Sequence, residues 1–345
     1  MLNLLLILFT ILTPQEIEHR TAIDFNKQLS DLLPYIQKYY PNVDSTQIAK
    51  WEESKALEYT IIDGKKWYFR RADENLFRID PEAKALKTSL EGKERAGRDE
   101  VTKQHIKQVL SETGNKTTNN LYAKHDWEFD FKLYLTPQSG LKDGELIKVW
   151  LPMPQTNQHR QTDCAITRFN RNVEINTGAH SVAYMEGNYD AHDTTMFNIV
   201  YNFTTYAEYN PLPKCFKHKK ADANNPELKQ HLTERAPHCL FTDKVKALAD
   251  SIVGKEKRPY YQARKLFVAI RELYPWAGAC EYSIIPNIPE YVIDNRHGDC
   301  GQVTLLDIAM CRYKGIPARW QSGFMLHPGW DNLHDWCEIY IEGMG

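Results

Sequence analysis

Cys300 and His334 are the residues whose types and settings point most clearly to chemistry, because a thiol and an imidazole that meet can act as a nucleophile and its proton acceptor. Cys300 lies in Arg296-His297-Gly298-Asp299-Cys300-Gly301-Gln302. It stands just ahead of a run in which Val303, Leu306, Met310 and Tyr313 recur at helical spacing, with Gly315 and Pro317 as the stop. Asp299 is a favoured N-cap residue, so Cys300 is expected at the first helical position. A thiol there faces the positive end of the helix dipole and unpaired backbone N–H groups, which favour thiolate. The same N–H groups, that of Gly301 among them, can receive the oxygen of a tetrahedral intermediate. Cys311, eleven residues on, falls about 16 Å further along the helix axis and reads as core.

His334 opens the alternating run HDWCEIYI, after a loop read over Met325–Leu333 and a strand-like Ala318–Phe324. Strand geometry places His334 and Trp336 on one face and Asp335 and Cys337 on the other. Gly301, Trp336, Trp276 and Tyr282 are the candidates for the wall of a cleft or for oxyanion contacts. Core packing is the commoner role for such aromatics, Trp320 and Trp330 included. Two H-x-x-C pairs, His297/Cys300 and His334/Cys337, also allow a zinc reading. Strand parity separates His334 from Cys337 and so argues against the metal, and thiol acyl transfer needs no cofactor.

The elements around the site follow from periodicity. Thr21–Leu57 reads as helical up to Pro41, and Leu57–Asp80 reads as a hairpin turning at Asp63-Gly64. Lys84–Tyr122 is charged helix followed by a polar linker from Glu112 to Asn120, and a solvated face is the plain meaning of its charges. From Trp127, the runs WEFDFKLYL, ELIKVWLPMP, HSVAYMEG and MFNIVYNFTTYAEY each alternate and are separated by turn residues, which predicts a sheet or sandwich. Asp243–Ile252 and Tyr260–Leu273 are helical, and an aromatic, Pro-rich loop from Tyr274 to Tyr291 leads to the Cys300 segment.

The chain has 345 residues, 42% hydrophobic, enough for more than one core. Its net charge of −2 provides no electrostatic case for nucleic acid or an anionic membrane. The apolar run Leu2–Leu12 is too short to span a bilayer and suits a secretory h-region, so residues 1–15 are read as a signal peptide and the protein as exported, periplasmic or extracellular. A buried N-terminal helix in a cytoplasmic protein is the alternative. Seven cysteines spread along the chain do not form a disulfide scaffold, and the odd count leaves one thiol over.

The stretch from Tyr274 to Gly343, YPWAGACEYSIIPNIPEYVIDNRHGDCGQVTLLDIAMCRYKGIPARWQSGFMLHPGWDNLHDWCEIYIEG, resembles the bacterial branch of the transglutaminase-like superfamily. The resemblance rests on G-D-C ending at Cys300, G-I-P-A-R from Gly315 to Arg319, and H-x-W from His334 to Trp336. It implies an α+β class with a papain-like transglutaminase core, Cys300 as nucleophile, His334 as base, and an Asp on the following strand. That Asp would lie beyond Gly345, so the core is expected to be truncated, with Asp331 or Asn332 as weak substitutes and Asp335 a poor one because of its strand parity. The expected organisation is a helix/hairpin region and linker over 16–122, a β-rich, sandwich-like domain over 123–215, and the catalytic domain over 228–345. The expected activity is hydrolysis or acyl transfer at a peptide or carboxamide bond, hydrolysis preferred. The substrate is expected to be a peptide or protein, cell-wall peptide included, and a non-catalytic binding module is the alternative.

Overall fold

In the computed structural model of the protein, the described residues are 12–91, 96–113, 120–137, 140–155, 158–177, 181–209, 219–327 and 330–345. The apolar run read as a signal sequence lies outside them except for Leu12, as does Cys215. They form two compact units, one made of the described residues up to Arg98 together with 219–345, the other lying between Asp99 and Pro213. No helix among the described residues is long and apolar enough to cross a membrane.

The first unit begins with α1 (Pro14–Asp24), where Thr13 and Glu16 form a capping box with Pro14 at the first helical position. The chain then makes a three-residue strand, β1 (Phe25–Lys27), before α2 (Leu29–Ile36) and α3 (Ser45–Glu53). This corrects the continuous helix expected from Thr21. Phe25 is withdrawn from solvent against Phe69, ring centroids 5.9 Å apart, and that burial outweighs local helical periodicity. The hairpin β2 (Tyr59–Ile62) and β3 (Lys65–Phe69) turns at Asp63 and Gly64 with φ of 51° and 73°, the left-handed pair that matches strand twist. The strands assemble in the order β1-β3-β2 and are followed by α4 (Ala72–Ile79) and α5 (Pro81–Glu91).

The second unit holds α6 (Ala96–Glu112) from Asp99 onward and six strands: β4 (Leu121–Leu135), β5 (Leu146–Met153), β6 (Gln161–Phe169), β7 (Val173–Asn176), β8 (Ser181–Asn188) and β9 (Thr195–Glu208). They form two antiparallel sheets ordered β4-β9-β6 and β5-β8-β7. Phe197, Ile199, Tyr201 and Phe203 alternate along β9 and are buried, as are Val149, Leu151, Ala183 and Met185 of the other sheet. The Tyr201 hydroxyl crosses between the sheets to donate to the Pro152 carbonyl at 3.2 Å.

The C-terminal part of the first unit contains α7 (Pro226–Lys229), α8 (Asp243–Val253), α9 (Pro259–Leu273), a 3₁₀ turn (Tyr282–Ile284), α10 (Ile288–Asn295), α11 (Cys300–Tyr313), β10 (Ala318–His327) and β11 (Trp330–Ile339). Helix α11 packs against α8, α9, α10 and both strands. Leu306, Ile308, Ala309, Met310 and Cys311 are almost fully buried, as expected for Cys311. The large apolar side chains among them each contribute about 1.5–3 kcal/mol of burial, which fixes the helix carrying Cys300 as the central post of this unit. Gly315 ends the helix at φ 78°. The loop expected over Met325–Leu333 is instead strand through His327 and again from Trp330, and antiparallel pairing runs unbroken from Ala318↔Ile339 to His327↔Trp330.

Asp307 is buried on α11, accepting from the Cys311 thiol at 3.7 Å and the Cys337 thiol at 3.5 Å. Burial pushes its carboxyl up to about 6 from an ordinary 3.8, and the two thiols act against the rise. A raised folded-state value means that its stabilising contribution is complete below about pH 4 and is lost as the pH rises through about 6. Asp307→Asn, neutral throughout, should therefore be more stable than the parent at pH 8 by up to about 3 kcal/mol, with the gain vanishing near pH 4. Thermal melts at the two pH values check this, and an equal change at both would contradict it.

Candidate active site

Asp299 is extended at φ −82° and ψ −176°, and its carboxylate accepts from the Gln302 N–H at 2.9 Å while the Gln302 side chain accepts from the Asp299 N–H at 3.2 Å. This capping box starts α11 at Cys300, the position read from the sequence. Asp299 Oδ1 also accepts from the Tyr282 hydroxyl at 2.6 Å. One carboxylate thus holds both the helix start and a side chain from the loop between α9 and α10. Burial above all, then the hydrogen bond to Asp299, lifts the Tyr282 hydroxyl above its ordinary range, so it stays a donor.

Cys300 is half-buried, with its Sγ 3.8 Å from Asp335 Oδ2. Burial raises the thiol above its ordinary value; the backbone N–H groups of Asp335 and Gly301 oppose the rise, and the charges of Asp299 and Asp335 add to it. The expectation of a helix start that lowers the thiol is corrected here. The N–H groups do act in that direction, but desolvation and two neighbouring carboxylates outweigh them. Burial, then the Asp299 charge, lifts the Asp335 carboxyl in turn, while the Cys300 contact and His334 oppose.

The parity read for β11 is present. Asp335 meets Cys300 and Cys337 meets Asp307, two turns further along α11, so that face of the strand lies on the helix. His334 and Trp336 share the other face, ring centroids 6.3 Å apart, with His334 paired to Gly323 across the ribbon. The Cys300–His334 hydrogen bond expected from the sequence is therefore not made; Asp335, set aside by the parity argument, is the side chain against the thiol. The signal that could have found this is the β10–β11 register, since Trp320 pairs with Cys337 and Ser322 with Asp335 and so fix which parity faces α11.

Gly301 is the tightest point of the site. A Cβ there would collide with the Tyr282 hydroxyl and stand 2.8 Å from Asp335 Oδ2 and 3.0 Å from the Trp320 ring. Tyr282, Trp320 and Asp335 therefore close around the second residue of α11. Trp276, by contrast, is half-exposed beneath the Arg78 guanidinium at 5.0 Å, and only its backbone borders the segment, bridging to Gly298. Gly301→Ala should destabilise the protein by about 1–3 kcal/mol, an overpacking cost, and alter the alkylation rate of Cys300. Adding Tyr282→Phe, which removes the nearest clashing atom, should recover part of the stability in thermal melts. No recovery would place the clash elsewhere.

The four residues of the zinc reading do not converge. His297 is buried edge-on to Tyr291 at 6.1 Å, with burial holding its imidazole down at about 4. Cys300 faces Asp335, Cys337 faces Asp307, and His334 lies beside Trp336. Among the described residues no group of three or more His, Cys, Asp or Glu side chains could hold a metal ion.

A half-buried thiol at the start of a central helix, walled by a tyrosine and an antiparallel ribbon, defines a cysteine-site α+β core. Residues 246–345 match the family profile of the Transglutaminase-like superfamily, and the chain carries a transglutaminase-like core at its C-terminal end. Among solved structures, a candidate cysteine protease from Cytophaga hutchinsonii is similar in fold, with 18% identity, a TM-score of 0.52, and coverage of 66% of this chain and 75% of that one. The periplasmic domain of TgpA from Pseudomonas aeruginosa matches more loosely, at 14% identity and a TM-score of 0.31 over 65% of this chain and 69% of its own. No curated protein matches the chain.

Proposed function

We propose that this protein performs thiol-dependent hydrolysis or acyl transfer at a peptide or carboxamide bond, hydrolysis preferred, with Cys300 as nucleophile and His334 as base. The placement of Cys300 carries the reading. It is the first residue of a capped helix, beside an N–H already directed at its sulfur, with Tyr282 and Trp320 packed around the neighbouring Gly301. The activity named for the Cytophaga protein, cysteine protease, belongs to the same class.

In the arrangement described above, Asp335 guards the thiol and His334 faces away. The two are consecutive, and the reading requires β11 to move by one residue along β10 from the register described, which would exchange the faces and bring His334 to Cys300. His334 then takes the thiol proton, the thiolate attacks the carbonyl carbon, and the proton passes to the leaving amine as the C–N bond breaks. Water attacks the thioester, releasing the acid and restoring the thiol. Substrates are peptides or proteins, cell-wall peptides among them, and the Leu2–Leu12 run supports export.

The raised thiol and its carboxylate neighbour favour a second reading, a transglutaminase-like module that binds without turning over. Incubation with carboxamide-bearing peptides, followed by release of ammonia or free carboxylate with and without an added primary amine, separates the cases. Hydrolysis gives acid regardless of the amine, and acyl transfer gives the new amide. No product from any peptide would leave the binding module.

A further inference from the structure

Tyr282, the residue that closes over the start of α11, is carried by a segment that the N-terminal helices hold. Asn75, 2% exposed on α4, holds both backbone polar groups of one residue: its Nδ2 donates to the Gly278 carbonyl at 2.8 Å, and its Oδ1 accepts from the Gly278 N–H at 2.8 Å. Two residues before Tyr282, the Cys280 thiol lies 3.8 Å from the Tyr291 hydroxyl, which donates to Glu58 at 2.7 Å. Immediately before Tyr282, the Glu281 N–H donates to Asp24, itself held by Arg70 at 2.8 Å, and the Glu281 side chain pairs with Arg20. Arg71 packs over Gly278, where a Cβ would come within 3.0 Å of its guanidinium.

Apart from the Tyr291–Glu58 bond and the Arg70–Asp24 pair, these contacts fall on Gly278, Cys280 and Glu281, and that segment leads directly into the candidate site. We propose that Asn75 and Asp24 are positioning residues that clamp the 278–282 strap, so that the Tyr282 hydroxyl stays on Asp299 beside Cys300. The region from α1 to α5 is on this reading part of the active unit. The proposal rests on the reading of Cys300 as nucleophile for its functional meaning, although its test does not.

The cysteines of the protein report the clamp. Cys280 sits in the strap, 4% exposed, and Cys311 in the middle of α11, 1% exposed, with Cys300 between strap and ribbon. Alkylation of the full chain by iodoacetamide, resolved peptide by peptide by mass spectrometry, follows all three. In Asn75→Ala, Cys280 and Cys300 should label at least about tenfold faster, the factor expected when hydrogen bonds of ordinary strength no longer oppose local opening, while Cys311 stays within twofold of the parent. Should Asn75→Ala fail to fold, Asn75→Asp keeps the acceptor for the Gly278 N–H, removes the donor to its carbonyl, and should give the same pattern. Unchanged labelling of Cys280 and Cys300, or Cys311 accelerating in step with them, overturns the proposal. A strap that opens as predicted in a protein that turns over no substrate would instead count against the proposed activity alone.

Discussion

Cys300→Ala should lower turnover by about 10³-fold or more while leaving the melting temperature close to that of the parent. The first half follows from the proposed role of the thiol: removing a covalent nucleophile leaves only binding and oxyanion contacts to accelerate the reaction. The second half follows from its half-buried position, where truncation leaves no closed cavity. No other described thiol can take its place. Cys239, Cys280 and Cys311 are buried, Cys337 is held against Asp307, and Cys164 lies on β6 of the other unit. Residual turnover within tenfold of the parent would contradict the assignment, and a collapse of melting temperature would recast Cys300 as a packing residue.

The paired substitutions His334→Ala and Asp335→Asn should differ, the first lowering turnover and the second sparing it. A base removed from a proton-transfer step costs about 10²–10⁴-fold, so His334→Ala should reduce turnover in that range. Asp335→Asn removes a carboxylate 3.8 Å from Sγ whose charge disfavours thiolate. Its thiol should therefore ionise at lower pH, and alkylation of Cys300 at pH 7.5 should quicken with turnover retained. Turnover measured for both variants, with the pH profile of Cys300 alkylation for Asp335→Asn, checks the pair. If Asp335→Asn abolishes turnover and His334→Ala does not, Asp335 is the working partner of the thiol and the register shift is wrong.

Much of the site was legible locally. Asp299 followed three residues later by Gln302 is a capping signature, and it places Cys300 at the helix start in the structure as it does on paper. The Asp63-Gly64 turn and the parity of β11 were likewise short-range patterns. The face of β11 that packs on α11 was not legible, because it depends on the pairing of β10 with β11. Strand pairing beyond Phe324, where a loop was expected, sets that register. Nor could the sequence reveal the clamp on the strap. Asn75 and Gly278, or Asp24 and Glu281, are joined across more than two hundred residues, and a single Asn or Asp on a surface-like helix carries no local sign of such a partner. The short strand at Phe25 failed for the same reason, since its partner Phe69 is distant in sequence.

The central claim is that Cys300 becomes acylated, and the most direct measurement is mass spectrometry of the Cys300-containing peptide after acid quench during turnover of a peptide carboxamide. The account predicts an adduct with the mass of the acyl group on Cys300, removed by hydroxylamine and missing from Cys300→Ala. Product formed at full rate with Cys300 unmodified at every time point would contradict it.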